Sequence, residues 1–361
     1  MAISSVFGQR RIKRFFEKAL ENQRLSHAYL FVGAKGTGKE AMALEVTKAL
    51  LSPHGLNFSP ETDVDALRVA KLTHPDLEFI FPAPAKLKDT EYAKIVESIV
   101  KNPYLRSEPW AKASIPIARI RELRRKSSYK SYEGKGRVVI LADCEMMTTE
   151  AANSLLKLLE EPPDKMHLFM ISSRPNLLLP TITSRCQMVK FDPLPAAEIE
   201  KALMDMFSVG AGKARITARL ANGSFRKAVE LLEEDVNDME LQALEFFRKA
   251  VQNEFIQICY VDKLLSHYHR DLKRVKDLLM HLAFWFRDAV LVQESVSELE
   301  KQIIHQNHLD VLKNFTRNFP KADLQNAVTE IEKSFELIDR NVQIQLILIV
   351  LLNKLRKLLR R

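Results

Sequence analysis

Cysteine is nearly absent from this 361-residue sequence: Cys144, Cys186 and Cys259 are the three, and they lie far apart. There is no C-x-x-C pair and no even-numbered framework, so neither a disulfide scaffold nor a cysteine zinc site is expected. A reducing cytoplasm is the simplest setting. Glycine is scarce, at 10 residues, and aromatics make up only 8%. With Leu, Lys, Glu and Ala abundant, the chain leans helical, because straight-chain residues lose little rotamer freedom in a helix. Long hydrophobic runs are missing too: LILIVLL, at 346–352, is far short of the roughly 20 residues that a membrane span needs. Residues 1–9 lack the apolar core of a signal peptide. The expectation is a protein neither exported nor membrane-spanning. Neither sign of charge dominates; 55 Lys and Arg against 46 Asp and Glu leave a net charge of +9, compatible with a polyanionic partner without requiring one.

What is present is the composition of a soluble globular protein, 46% hydrophobic and 28% charged, long enough for two or three domains of roughly 100–200 residues each. The first half alternates between strands and helices. Residues 12–22 are amphipathic, with Phe15, Phe16, Ala19 and Leu20 on one face. Short apolar runs at 28–32, 138–141 and 168–172 alternate with helical patterns at 39–51 and 150–161, the last stopped by Pro162 and Pro163. Unalternating apolar runs separated by helices are what a parallel sheet covered on both faces requires. Past Pro193 and Pro195 no strand signal remains. The expected division is an α/β domain at 1–192, a small helical lid at 193–238 and an all-α domain at 239–361, with no internal repeat. Residues 82–116 are irregular and charged, and are expected to be a surface excursion.

Gly33-Ala34-Lys35-Gly36-Thr37-Gly38-Lys39-Glu40 fits G-x-x-x-x-G-K between an expected strand and an expected helix. In such a loop the glycines let backbone N–H groups curl around phosphates, the helix N-terminus adds positive potential, and the lysine reaches the terminal phosphates. Gly33, Gly36, Thr37, Gly38, Lys39 and Glu40 are therefore the candidate nucleotide-binding residues. Glu40 stands where a Ser or Thr hydroxyl would hold Mg²⁺, and its carboxylate puts negative charge beside a triphosphate. The strand-end sequence Val138-Val139-Ile140-Leu141-Ala142-Asp143-Cys144-Glu145 carries a second departure. In one register Ala142 replaces the metal-binding aspartate; in the other, Cys144 replaces the catalytic acid. ATP binding is expected to be weak or absent, Mg²⁺ to come only with nucleotide, and hydrolysis by this chain alone to fail.

Other segments are more specific. Residues 148–163, TTEAANSLLKLLEEPP, closely resemble a stretch of the bacterial sliding-clamp-loader AAA+ family, and Thr183-Ser184-Arg185-Cys186 is similar to its S-R-C motif. Leu25-Ser26-His27-Ala28-Tyr29-Leu30-Phe31, His74-Pro75-Asp76, Tyr132-Glu133-Gly134-Lys135 and Gly223-Ser224-Phe225-Arg226-Lys227-Ala228 resemble further family segments, in the right order from residue 6 to about 230. The resemblance implies a P-loop AAA+ α/β module, a helical lid and a helical collar within the polymerase III holoenzyme. Within the family, the disturbed phosphate loop and lost acidic pair, with S-R-C retained, resemble the delta-prime subunits more than the gamma/tau motor subunits. An active motor ATPase, or a stand-alone DNA-binding P-loop scaffold, are the alternatives. Many members carry a four-cysteine zinc module after the first helix; residues 52–72 contain no cysteine, so no zinc is expected there.

By that resemblance Arg185 is an arginine finger reaching a neighbouring subunit's ATP site, a task suited to a rigid, permanently charged fork of donors. Its plain alternative is a surface salt bridge. Arg226 is the lid arginine facing this chain's own nucleotide site, or only a strut between lid and core. Ser172 or Ser173 takes the polar position at the end of the third strand, and Val6, Gly8 and Gln9 resemble the segment that lies against adenine. His27 reads as a packed or capping residue. The implied partners are the gamma/tau motor and delta subunits, the sliding clamp, and primed DNA, in a hetero-oligomer with no membrane contact. Two basic clusters, Arg119, Arg121, Arg124, Arg125 and Lys126, and Lys354, Arg356, Lys357, Arg360 and Arg361, suit phosphate contact or a solvated helix face; the second also suits a helix C-terminus.

Overall fold

The computed structural model describes residues 6–59, 61–84, 87–108, 110, 113–233, 236–268, 271–294, 303, 309–340 and 342–359. They divide into two compact units, Met1–Val229 and Glu230–Arg361.

The first unit opens with α1 (Arg10–Glu21), β1 (Ala28–Val32), α2 (Lys39–Leu51) and α3 (Val64–Ala70). β2 (Leu77–Ile80), α4 (Asp89–Lys101), α5 (Ile117–Ser127), β3 (Arg137–Leu141), α6 (Thr149–Glu160), β4 (Met166–Ser172), α7 (Pro180–Thr183) and β5 (Gln187–Lys190) follow. The strands form one parallel sheet in the order β2-β3-β4-β1-β5. Side chains of a strand alternate between faces, and in β1 both sets are buried. Tyr29 and Phe31 join Phe16 of α1, Phe169 and Phe191 in one aromatic cluster. Ala28, Leu30 and Val32 join the opposite core with Ile120 and Leu123 of α5 and Ala151 and Leu155 of α6. Side-chain caps fix two helix starts: Asp63 accepts from the Ala66 amide and Thr148 from the Ala151 amide.

The helices α8 (Ala196–Phe207), α9 (Ala211–Leu220) and the start of α10 (Phe225–Glu233) also belong to the first unit. Residues 82–116 depart from the expected irregular surface excursion. They contain the 13-residue α4, whose Ile95 and Ile99 are buried, and then lead inward, with Tyr104 and Arg106 buried.

The second unit is helical among its described residues: α11 (Val236–Ala250), α12 (Glu254–His267), α13 (Leu272–Gln293), α14 (Leu309–Asn318), α15 (Leu324–Asp339) and α16 (Ile344–Leu359). Its core joins Leu278, Leu282 and Phe286 of α13 to Ile331 of α15 and Leu348, Leu351, Leu352 and Leu355 of α16. The greasy run at 346–352 is thus one buried face of an amphipathic helix, with Leu346 and Val350 exposed. No helix among the described residues is long and apolar enough to cross a membrane.

Candidate nucleotide site

The candidate phosphate loop lies between β1 and the first turn of α2, the placement its sequence demands. What fills it is protein. The Lys39 ammonium donates to the carbonyls of Gly33 (2.8 Å) and Ala34 (2.6 Å) of its own loop. The Thr37 hydroxyl donates to the Ala34 carbonyl. Gln9 ties the loop to the N-terminal segment and to the end of the sheet, donating to the carbonyls of Thr37 and Asp192. Burial pushes the Lys39 ammonium down to about 8, although Glu40, Asp143 and Glu145 pull the other way.

Two glycines allow other parts of the chain to approach the loop. Gly36 has φ +76°, and a Cβ there would stand 2.8 Å from the Arg226 backbone nitrogen at the start of α10; its carbonyl accepts from the Phe225 amide at 3.0 Å. Gly38 has φ +91°, and a Cβ there would meet Tyr104 Oη at 2.9 Å. The close approach that such loops offer to phosphates is taken here by the chain itself.

Residues 103–108, a strap following α4, cross the loop. Arg106, its side chain only 4% exposed, donates from Nε to Glu40 Oε1 at 2.9 Å and pairs through Nη2 with Asp143 and, at 3.4 Å, with Glu108. Burial would lower its pKa, but Glu40, Asp143 and Glu108 outweigh that and keep it charged. Glu108 takes Lys35 on Oε2 at 2.6 Å and Arg226 on Oε1, and Arg226 also donates to the Arg106 carbonyl. Burial pushes the Glu108 carboxyl up, yet Arg226, Lys35 and Arg106 together hold it at about 2. Tyr104 anchors the strap: its hydroxyl accepts from the Phe7 amide at 2.7 Å, and its ring lies 5.0 Å from Phe7 and 5.4 Å from Phe225. Burial raises its phenol. Two small cavities remain around the strap, of about 30 Å³ and about 110 Å³, each room for a few waters and together below the roughly 300–1,000 Å³ of ordinary ligand pockets.

At the strand end, Ala142 follows β3 and Asp143 adopts a left-handed φ of 45°, a region Asp tolerates better than most residues. Its carboxylate meets Arg106. The Glu145 side chain is 1% exposed; Oε1 accepts from the Ser173 amide (3.1 Å) and hydroxyl (2.9 Å), and Oε2 has no hydrogen-bond partner among the described residues. Ser173 is therefore engaged by an acid, while the Ser172 hydroxyl accepts from the Arg174 amide.

Comparison with known proteins adds the lineage. The signature of the family described as "DNA polymerase III, delta subunit" matches residues 8–195. The chain belongs to that family. It is 27% identical over 343 residues to the DNA polymerase III subunit delta' of Bacillus subtilis (strain 168), covering 93% of each chain. It is 30% identical over 235 residues to the delta' of Pseudomonas aeruginosa, covering 63% of this chain and 62% of that one. The B. subtilis tau subunit is 24% identical over 351 residues, which span 92% of this chain and 57% of tau. The family is the clamp-loader AAA+ family, and this member is delta-prime-like.

The remaining candidate residues of this family member are scattered. Arg226 lies beside the phosphate loop. Arg185 stands apart on the surface after α7, 38% exposed, with Nη2 2.9 Å from Glu160 Oε1 and Nη1 donating to the Thr181 carbonyl. Arg121, Arg124, Arg125 and Lys157 line an open cleft of about 730 Å³ between α5 and α6, together with the acids Glu160 and Glu161. Two others of the first basic cluster are paired instead: Arg119 with Glu122, and Lys126 with Glu78 and Glu122. In the second cluster Lys354 pairs with Glu330, Arg356 and Lys357 occupy the last turn of α16, and Arg360 and Arg361 lie outside the described residues. His27 is packed, with Nε2 buried and unpartnered.

Asp65, His74 and Glu133 bring three ligand-type atoms within 4.8 Å, but their protons argue against a metal. His74 Nδ1 accepts from the Asp76 amide, which leaves the proton of a neutral ring on Nε2, the atom facing Glu133 at 3.3 Å. A metal needs a lone pair there. Arg68 and Lys135 already neutralise the two carboxylates.

Arg106, Glu108, Tyr104 and Glu145 were not legible as site residues. Arg106 and Glu40 are 66 positions apart and Arg106 and Asp143 are 37 apart, with no motif linking them.

Proposed function

We propose that this chain is a delta-prime-type subunit of a bacterial clamp loader, a non-hydrolysing member of a ring or arc of related subunits. It lends Arg185 to a neighbouring motor subunit's ATP site. The observation that carries this reading is the contrast between two arginines. Arg106 is buried in the chain's own phosphate-loop site, leaving little room for nucleotide. Arg185 is exposed and held by a solvent-accessible pair with Glu160, and such pairs are worth about 0–1 kcal/mol. Turning it outward costs little.

On this reading ATP and Mg²⁺ are at most weak ligands of this chain, and zinc is not a cofactor. The partners are gamma/tau-type motor subunits and delta, the sliding clamp, and primed DNA, in a cytoplasmic hetero-oligomer. The cleft bearing Arg121, Arg124, Arg125 and Lys157 supports contact with a nucleic-acid backbone. The second, helical unit serves as the collar. The complex as a whole opens the clamp and places it on primed DNA.

The test is ATP hydrolysis by the reconstituted loader with wild-type and Arg185→Ala chains, beside the isolated chain. The isolated chain is expected to be inert, and the variant to cost one active site about 10³-fold or more in turnover. Turnover by the isolated chain, with no effect of Arg185→Ala in the complex, would make this chain a motor instead.

A further inference from the structure

We propose that the strap at 104–108 is a built-in substitute for magnesium nucleotide, holding the lid helix α10 on the phosphate loop with no nucleotide present. In P-loop proteins a metal ion bridges the residue after the loop lysine and a strand-end acid, while loop and arginine donors grip the phosphates. Both roles are filled here by side chains two residues apart. Arg106 is the cation between Glu40, the residue after the loop lysine, and Asp143, at the end of β3. Glu108 is the anion gripped by Lys35 of the loop and Arg226 of α10. Glu40 thereby acquires a purpose. A hydroxyl there would suit a metal, whereas a carboxylate suits a guanidinium.

The strap joins the segments that a bound nucleotide would otherwise bridge. Tyr104 packs on Phe7 and Phe225 and closes over Gly38. Arg226 reaches both the Glu108 carboxylate and the Arg106 carbonyl. The site holds acids and bases of this chain side by side: Glu40, Glu108, Asp143 and Glu145 with Lys35, Lys39, Arg106 and Arg226, and Arg174 at the rim, 4.0 Å from Glu145. A triphosphate would have to displace Glu108 and then face Glu40. The lid position is thus written into the sequence rather than set by a nucleotide cycle. This inference goes beyond the role proposed for Arg185 and holds whether or not that residue reaches a neighbour.

Hydrogen exchange on the full chain, with and without Mg²⁺ and a non-hydrolysable ATP analogue, tests it. In the wild type the amides at 225–229 should exchange slowly, and at the same rate with the analogue as without. Glu108→Gln keeps the shape and removes the anion; those amides should exchange about tenfold faster or more, the equivalent of one lost charge-assisted hydrogen bond, while β1 and β4 stay protected. Arg226→Gln, which leaves the strap intact, should accelerate the same amides. Unchanged exchange at 225–229 in both variants would overturn the proposal. So would an analogue-induced slowing in the wild type, or an equal acceleration in the sheet, which would make the strap a general stabiliser rather than a lid clamp.

Discussion

Arg106 Nε donates to Glu40 Oε1 across 2.9 Å, so the acid that follows the phosphate-loop lysine is half of an ion pair with a buried arginine. The other half comes from a segment that looks like a surface loop in sequence.

Arg106→Ala should be among the most damaging single changes in the first unit. It leaves Glu40 and Asp143 as poorly solvated carboxylates without their cation, and breaking a buried pair this way costs about 3–5 kcal/mol. Denaturant unfolding should report that loss. Arg106→Met combined with Glu40→Gln and Asp143→Asn removes the stranded charges and should recover most of it. A triple variant as unstable as Arg106→Ala would show that packing, not charge, dominates.

Glu108 gives the site an acid sensitivity. Its carboxyl is held at about 2 against an ordinary 4.5, so the folded state binds this proton less readily than the unfolded chain. The stabilisation is fully present above pH 4.5 and is lost as pH falls from there toward 2. At about 1.36 kcal/mol per unit the ceiling is about 3 kcal/mol, and screening of the 30% exposed side chain lowers it. The difference between wild-type and Glu108→Gln unfolding free energies, followed through that window, should shrink toward acid pH.

Lys39 has the same sign in an alkaline window, with burial as its cause. Burial lowers its ammonium from 10.5 to about 8, so between those values the unfolded chain holds a proton that the folded chain has released. Stability contributed by this group therefore rises with pH from about 8 to 10.5. Lys39→Met should abolish that rise. An identical pH slope in the two proteins over this range would refute it.

The basic cleft should report on nucleic acid only in the assembled complex. Arg124→Ala with Arg125→Ala removes two cations from its wall. If both meet phosphates, the slope of log K against log salt for primed DNA should fall by about 1–2, roughly evenly across sequences. An unchanged slope would mark these arginines as a solvated helix face.

Much of this architecture is readable in the sequence, and what escapes has physical causes. β1 and α2 have the bounds their pattern implies, because an unalternating apolar run ending in glycines and then a lysine-led helix admits little else. The two strands without a sequence signal, β2 and β5, are the sheet edges. β5 buries only Val189 of its four residues, so no hydrophobic pattern announces it. Glu40 and the broken acidic pair are legible because a motif fixes what should stand there. Arg106 and Glu108 are not, because their roles come from tertiary charge contacts that leave no periodic trace. Arg185 is exposed and makes a plain salt bridge with Glu160, which leaves its reach toward a neighbour to the assembled complex.

The measurement that bears most directly on the account is a calorimetric titration of Mg–ATP into the isolated wild-type chain. With the site filled by Arg106, Glu108 and Tyr104, no saturable binding is expected up to millimolar nucleotide. Saturable micromolar binding that disappears in Lys39→Ala would contradict it, and would mean that the strap yields to nucleotide rather than replacing it.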